Sequence, residues 1–431
     1  MAAISTDDQT PEEALVYWVI VGTWGLWLAG GLYHVYPIVS WTLAYWGFAR
    51  RFGLTDHDPA GFKPIPVGVW VWIAGMVMMA VALIAGHLNY GFALIDIAKS
   101  LFGWAKGWAL FAVLPFAGAS LRIRPHVLIR AINILSLQTL VITPFFIIAS
   151  MAGLPPVLYT SPLMYLGGAG TTFFNVGTHW IDPGSPDVRF RFYSPWGPAA
   201  ALVAQIALVI GVFDRDWRWR IVAIVSSVAV CFLAKSRLSL VAIPILIIAI
   251  PALSQIYRPM VMAVTGGTAV TGAFLFNSLT FLVDQGVSNF NNARADSSRV
   301  RATLQRMAIH RWQTEAPVFG HGAVERGSHL VEFMPIGSHH TWNGLLFVKG
   351  GVGYAALAIP MLWTFFELLL KSQRDRIARA ALGVIIVLFI NSNGENLEIL
   401  CYLLWPGLLL IGIAMNRRFV GIWSPTLGTP R

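Results

Sequence analysis

The chain has 431 residues, 56% hydrophobic and 12% charged, with a formal net charge of +10 and a mean hydropathy of +0.66. Soluble domains carry about 25% charged residues, so this composition excludes an ordinary water-soluble domain. The positive balance also lacks a basic, aromatic-interleaved soluble module, which excludes nucleic acid as its partner.

What remains is an all-α polytopic membrane protein, in which apolar runs of roughly 20 residues satisfy every backbone N–H and C=O within the segment. The start of the chain is polar and acidic (Asp7, Asp8, Glu12, Glu13), unlike a cleavable signal peptide. Apolar runs then follow at 14–31, 33–49, 66–86, 105–119 and 131–151. The first two are separate spans or one bent segment, since only Gly30, Gly31 and His34 mark the break. A loop over 152–195 carries the turn signals Pro155–Pro156 and Asp182-Pro183-Gly184-Ser185-Pro186 but no identified chemistry. Runs at 196–213, 218–234, 238–255 and 259–282 lead into a second long loop, 283–340. The last runs are 341–370, 379–393 and 397–415, for about twelve spans in all. Trp18, Trp46, Trp180, Trp196, Trp217, Trp219 and Trp423 sit at run ends, where interfacial indoles anchor. Cys231 and Cys401 lie inside apolar runs, with no metal or CxxC spacing, and read as packing residues.

The short basic clusters fall in alternate gaps: Arg50 and Arg51; Arg122, Arg124 and Arg130; Asp214 to Arg220; Arg258; Lys371, Arg374, Arg376 and Arg379; Arg417 and Arg418. The positive-inside rule puts these gaps and both termini in the cytoplasm, and both long loops outside. Asp214-Arg215-Asp216 looks like the metal motif of nucleotide-sugar enzymes, but in so short a cytoplasmic loop it reads as topological charge.

An arginine-rich outer loop therefore needs a functional reason. Within 283–340, Asp296, Ser297 or Ser298 is placed to cap a helix, and Val300, Leu304, Met307 and Ala308 form its apolar stripe. Arg299 and Arg306 share another face, with Arg301 near the same helix start. Pro317 ends the helix, and Phe319-Gly320-His321-Gly322 reads as a tight turn. The loop holds Arg294, Arg299, Arg301, Arg306, Arg311 and Arg326, with His310, His321, His329, His339 and His340. Guanidinium forks grip phosphate oxygens bidentately, and histidine titrates where a general base works. A basic helix at a membrane surface more often just pairs with lipid headgroups or nearby acids. Lys235 and Arg237, between two apolar runs, are either snorkelling charges or a functional pair at membrane depth. Asn391 to Asn396, which contains Glu395, is either a polar turn or a segment that orients a base or binds sugar.

Three stretches carry a resemblance: Ala234-Lys235-Ser236-Arg237-Leu238-Ser239; Ser298 to Gly322; and Ser338-His339-His340-Thr341-Trp342-Asn343-Gly344-Leu345, continuing to Gly350 and Gly353. In order, spacing and placement they resemble the O-antigen ligase and polysaccharide polymerase superfamily. The sequence departs from that pattern at His340, where Asn or Ser is usual, and at Asn343, where an aliphatic residue is common.

The resemblance implies an inner-membrane, metal-independent, inverting glycosyltransferase that needs no cofactor. Its donor would be an undecaprenyl-diphosphate-linked glycan in the bilayer, and its acceptor a glycan or a lipid A core. Polysaccharide-assembly proteins would be its partners. Arg237 and Arg301, then Arg299 and Arg306, would hold the diphosphate. His339, or His340 one residue on, would be the base, with Glu395 or Glu325 orienting it or meeting the acceptor. Polymerase is favoured over ligase on the segment from Gly337 to Phe347. A lipid-linked oligosaccharide flippase or transporter is the other class, but it would put its polar residues inside the spans and show repeats.

Overall fold

The computed structural model describes residues 9–54, 64–181, 188–274, 295–331, 333–337 and 340–417. These are mostly helical. In chain order the helices are α1 (Pro11–Val21), α2 (Thr23–Leu28), α3 (Leu32–Arg51), α4 (Val67–Asn89), α5 (Leu94–Lys106), α6 (Leu110–Ser120), α7 (Pro125–Met151), α8 (Gly197–Gly211), α9 (Trp217–Leu233), α10 (Arg237–Leu253) and α11 (Pro259–Phe274). They are followed by α12 (Ala295–Glu315), α13 (Thr341–Ser372), α14 (Arg376–Asn391) and α15 (Leu397–Met415). Short antiparallel pairs of strands dress the loops: β1 (Tyr159–Thr160) with β2 (Asn175–Val176), β3 (Trp180–Ile181) with β4 (Val188–Arg189), and β5 (Glu325–Arg326) with β6 (Pro335–Ile336).

Every apolar run read from the sequence contains a helix, but length separates the helices. α4, α7, α13 and α15 are long and apolar enough to cross a membrane, and the pair α5–α6, bent by 40°, makes a fifth candidate. α8 has 15 residues and α9 and α10 have 17 each. At 1.5 Å per residue they reach about 22–26 Å, short of a roughly 30 Å hydrocarbon core. The first run is two helices, parted at Gly22, and a turn with Gly30 at φ +68° separates it from α3. The amphipathic helix α5 was not anticipated, because its apolar residues do not form a continuous run.

α15 is the centre of the core, buried along almost its whole length. α6 lies parallel to it at close range: a Cβ on Gly412 would stand 2.1 Å from the carbonyl oxygen of Pro115, so small residues set the approach. α4 runs antiparallel to α13, and Trp72 Nε1 donates to Thr364 Oγ1 at 2.8 Å between them.

The basic clusters meet at one end of this array. Arg50 pairs with Glu12, and Arg124 with Glu13 at 2.7 Å. Arg130 binds Asp214 through Nε and Nη2 at 3.0 and 2.9 Å, and Arg376 donates to the Asp214 carbonyl at 3.1 Å. Gln373 reaches the Leu253 carbonyl at 2.7 Å, and Arg417 pairs with Asp375. Asp216 caps α9, so both aspartates of the Asp-Arg-Asp triplet have structural partners. Glu13 also closes a capping box with Thr10 at the start of α1. Glu13→Gln removes the charge from its fork with Arg124, and hydrogen bonds to charged groups contribute about 1.5–3 kcal/mol. Thermal unfolding in detergent should show a loss of about 2 kcal/mol, whereas Lys99→Gln, at an exposed i,i+3 pair with Asp96, should show almost none.

The long loops gather at the opposite end. Ser161 packs on Gly30, the Phe190 N–H donates to the Leu233 carbonyl at 3.2 Å, and Gly86 lies against Gly322. There α13 is broken. Gly350 has φ +61° and ψ −165°, far from helical. In an unbroken helix the N–H groups of Gly351 and Val352 would pair with the carbonyls of Phe347 and Val348. Here those N–H groups donate to Pro317 and Val318 at 2.9 and 3.1 Å. The two carbonyls accept from the N–H groups of His321 and Gly322, each at 2.9 Å. The expected turn at Phe319-Gly320-His321-Gly322 is thus a backbone plug that re-satisfies the helix break.

Candidate functional site

Beside this plug, α12 lies across the mouth of the bundle. Of the expected stripe, Val300, Leu304 and Ala308 are buried against Val331, Ile336 and Phe347 in a small second core, and Met307 is partly buried against it. The helix ends at Glu315, just before Pro317. With α12 held this way, the residues at 301, 304, 305 and 308 share a face one to two turns long.

That face forms one wall of a small cleft with about 30 Å³ of internal space. Arg301 and Gln305 come from α12, His340 and Asn343 from the start of α13, and Asn393 and Gly394 from the turn between α14 and α15. Arg237 is half-buried at the first turn of α10, where Leu238 packs on Gly394 behind the cleft. Lys235 beside it has a left-handed backbone, φ 49°. Arg301, His340 and the Lys235–Ser239 segment are therefore neighbours, although they come from separate parts of the chain. Arg299 and Arg306 are exposed on α12 and do not line the cleft; Arg306 donates to Thr303 at 3.3 Å. His339, Glu332 and Arg294 lie outside the described residues.

His340 is the N-cap of α13: its Nδ1 accepts the N–H of Asn343 at 3.4 Å. Nδ1 being the acceptor, the neutral ring carries its proton on Nε2. Burial pushes the imidazolium form down. His340 thus offers a hydrogen-bond donor and a cap, which is a poor arrangement for a base.

Glu325 is drawn into a different cluster. Arg311 grips Glu315 at 2.8 Å and Glu325 at 2.5 Å, with its guanidinium 5.2 Å from the ring centre of Phe347. Hydrogen bonds from Arg311 and then from His321 hold the Glu315 carboxyl down to about 2. His321 is buried, stacked on Phe347, with Nε2 at 2.8 Å from Glu315 and Nδ1 at 3.0 Å from the Phe347 carbonyl. This cluster braces the plug and does not line the cleft.

Glu395, by contrast, is buried next to it. Oε2 accepts Trp196 Nε1 at 2.8 Å, and its carbonyl accepts Thr341 Oγ1 at 2.6 Å. Burial first, offset by the Trp196 bond and the charge of Arg301, leaves its carboxyl raised to about 7. Trp196 reads from sequence as an interfacial anchor; its second role, holding Glu395, depends on a contact spanning 199 positions.

Arg191 was missed altogether. It is 1% exposed, and its guanidinium nitrogens have no hydrogen-bond partner among the described residues. Burial pulls it down to about 10. Phe192 next to it is left-handed at φ 51°. The available signal was two arginines alternating with phenylalanine across 189–192, at the end of a polar loop.

No protein-family model matches the chain, and no curated protein matches it.

Proposed function

We propose that the chain is a membrane glycosyltransferase that transfers or polymerises a glycan carried on undecaprenyl diphosphate. The observation that carries this reading is the cleft, where Arg301, His340 and the turn bearing Glu395 converge from three elements at the end remote from the basic clusters. In this reading the protein crosses a bacterial inner membrane about twelve times, with both termini cytoplasmic and the cleft on the periplasmic face. The shorter helices span in a bundle that thins the bilayer or shields their ends.

The donor's tail lies in lipid and its diphosphate meets Arg301 and Arg237, whose fixed forks suit a bidentate phosphate. An acceptor hydroxyl attacks the anomeric carbon from the opposite side, inverting its configuration. The diphosphate leaves with its charge stabilised by the arginines. His340 supplies a hydrogen bond, and the resemblance offers His339 as base. Polymerisation of an exopolysaccharide or O-antigen is the favoured outcome, with polysaccharide-assembly proteins alongside; transfer to a lipid A core is the alternative.

The direct test is reconstituted protein given lipid-linked glycan extracted from the source cells, with chain length and released undecaprenyl diphosphate as readouts. No release, with or without a lipid A-core acceptor, would refute the reading. Topology is tested separately. A periplasm-active reporter inserted at Gly327 should be active and one at Arg374 silent; the reverse pattern would overturn the orientation.

A further inference from the structure

Glu395 sits on the same short turn as Asn393 and Gly394, which wall the cleft. Its place is fixed from several directions. Thr341 Oγ1 donates to its carbonyl, and Thr341 N–H donates to the Ser392 carbonyl at 3.1 Å. Trp342 Nε1 donates to Ser392 Oγ at 2.8 Å, and Asn391, at the end of α14, donates to Gln205 at 2.7 Å. These bonds fix the backbone of the turn, and Glu395 lies directly behind its lining residues Asn393 and Gly394.

Among the described residues it has no counter-ion in contact. Glu13 is forked by Arg124 and Asp214 by Arg130. Glu395 has a single indole N–H on Oε2, and Oε1 takes no hydrogen bond among the described residues. A carboxylate has about four lone-pair sites, so one that is 8% exposed with a single donor is poorly placed to hold permanent charge. The groups facing it are the Trp196 indole from α8, the Thr341 hydroxyl from α13, and the charge of Arg301 from α12. Of these only Arg301 is charged, and it lies on the cleft.

We infer that Glu395 is the general base of the cleft, taking the proton that the resemblance assigns to His339. This rests on the glycosyltransferase reading. The acceptor O–H gives its proton to Oε1 while the oxygen lone pair forms the bond to the anomeric carbon. The bond from that carbon to the phosphate oxygen breaks, and its electron pair leaves on undecaprenyl diphosphate beside Arg301. Glu395 ends the step as a carboxylic acid and returns its proton to water. A carboxyl raised to about 7 by burial matches the proton affinity a base needs near neutrality.

The test uses full-length protein in nanodiscs, undecaprenyl diphosphate as the binding probe and extracted lipid-linked glycan as the turnover substrate. Glu395→Gln keeps the size and the Trp196 bond but accepts no proton. Its kcat should fall by roughly 10²–10⁴-fold, with binding of undecaprenyl diphosphate within about twofold of wild type. Wild-type kcat should rise between about pH 6 and 8, as the base deprotonates, and this rise should vanish in Glu395→Gln. Glu395→Asp should recover part of the rate and keep a rise with pH. Normal turnover per folded molecule in Glu395→Gln, or a wild-type profile flat across that range, overturns the inference alone. So does an inactive His339→Ala beside an active Glu395→Gln. Wild-type protein that neither binds the probe nor transfers glycan overturns the glycosyltransferase reading, and the inference with it.

Discussion

Arg301→Lys should leave the protein as abundant and as thermally stable as wild type while cutting glycan transfer by roughly 10²–10³-fold. Arg301 is exposed on α12, outside the buried stripe of Val300, Leu304 and Ala308. A surface substitution there should change stability by no more than about 0.5 kcal/mol. Lysine keeps the charge but replaces a planar fork with a single ammonium, losing the paired geometry that two phosphate oxygens require. Because the leaving diphosphate gains charge as the reaction proceeds, the loss should fall mainly on kcat, with a smaller change in donor affinity. Arg306→Lys is the internal control. Arg306 lies on the same helix and is exposed, but it does not line the cleft. Equal losses at the two positions would mean that the effect is not specific to the cleft, and normal transfer in Arg301→Lys would mean that charge alone suffices there and would remove its fork from the diphosphate site.

Gly350→Ala should destroy the fold of this region, with a loss above about 4 kcal/mol. At φ +61° and ψ −165°, Gly350 occupies backbone space that is essentially closed to residues with a Cβ. The added carbon would also meet Val318 O at 2.3 Å and Gly320 N at 2.6 Å. Those are backbone atoms of the plug, and moving them breaks the exchanged hydrogen bonds with Phe347, Val348, Gly351 and Val352. The next residue is the control: a Cβ on Gly351 has only Pro317 O nearby, at 3.4 Å, an ordinary contact. Gly351→Ala should therefore fold, with a change of about 1 kcal/mol or less. Monodisperse yield and thermal unfolding in detergent measure both. A well-folded Gly350→Ala protein would mean that α13 can straighten and does not depend on the plug.

The periodic features were legible in the sequence because their causes are local. Val300, Leu304 and Ala308 recur at helical spacing and are buried as that spacing requires; Pro317 follows the end of the helix; and each apolar run contains a helix. The basic clusters were legible too, as they share one kind of gap and end together at Glu12, Glu13, Asp214 and Asp375.

Features that depend on distant partners were not legible. Gly350 enters the sequence reading only through the resemblance, and nothing local marks a helix break there; the plug that stabilises the break comes from Pro317 to Gly322. Glu325 and Glu395 look alike as acids near polar segments, yet Arg311 claims the first and Trp196 buries the second. His340 has the residue type of a base, but its position at the start of α13 turns Nδ1 toward the Asn343 N–H and makes it a cap. Secondary structure follows from each residue's own propensity and its neighbours within a turn or two. The charge state, exposure and free atoms of a side chain depend on what packs against it, and for Arg301, Glu395 and Arg191 only the tertiary structure decides that.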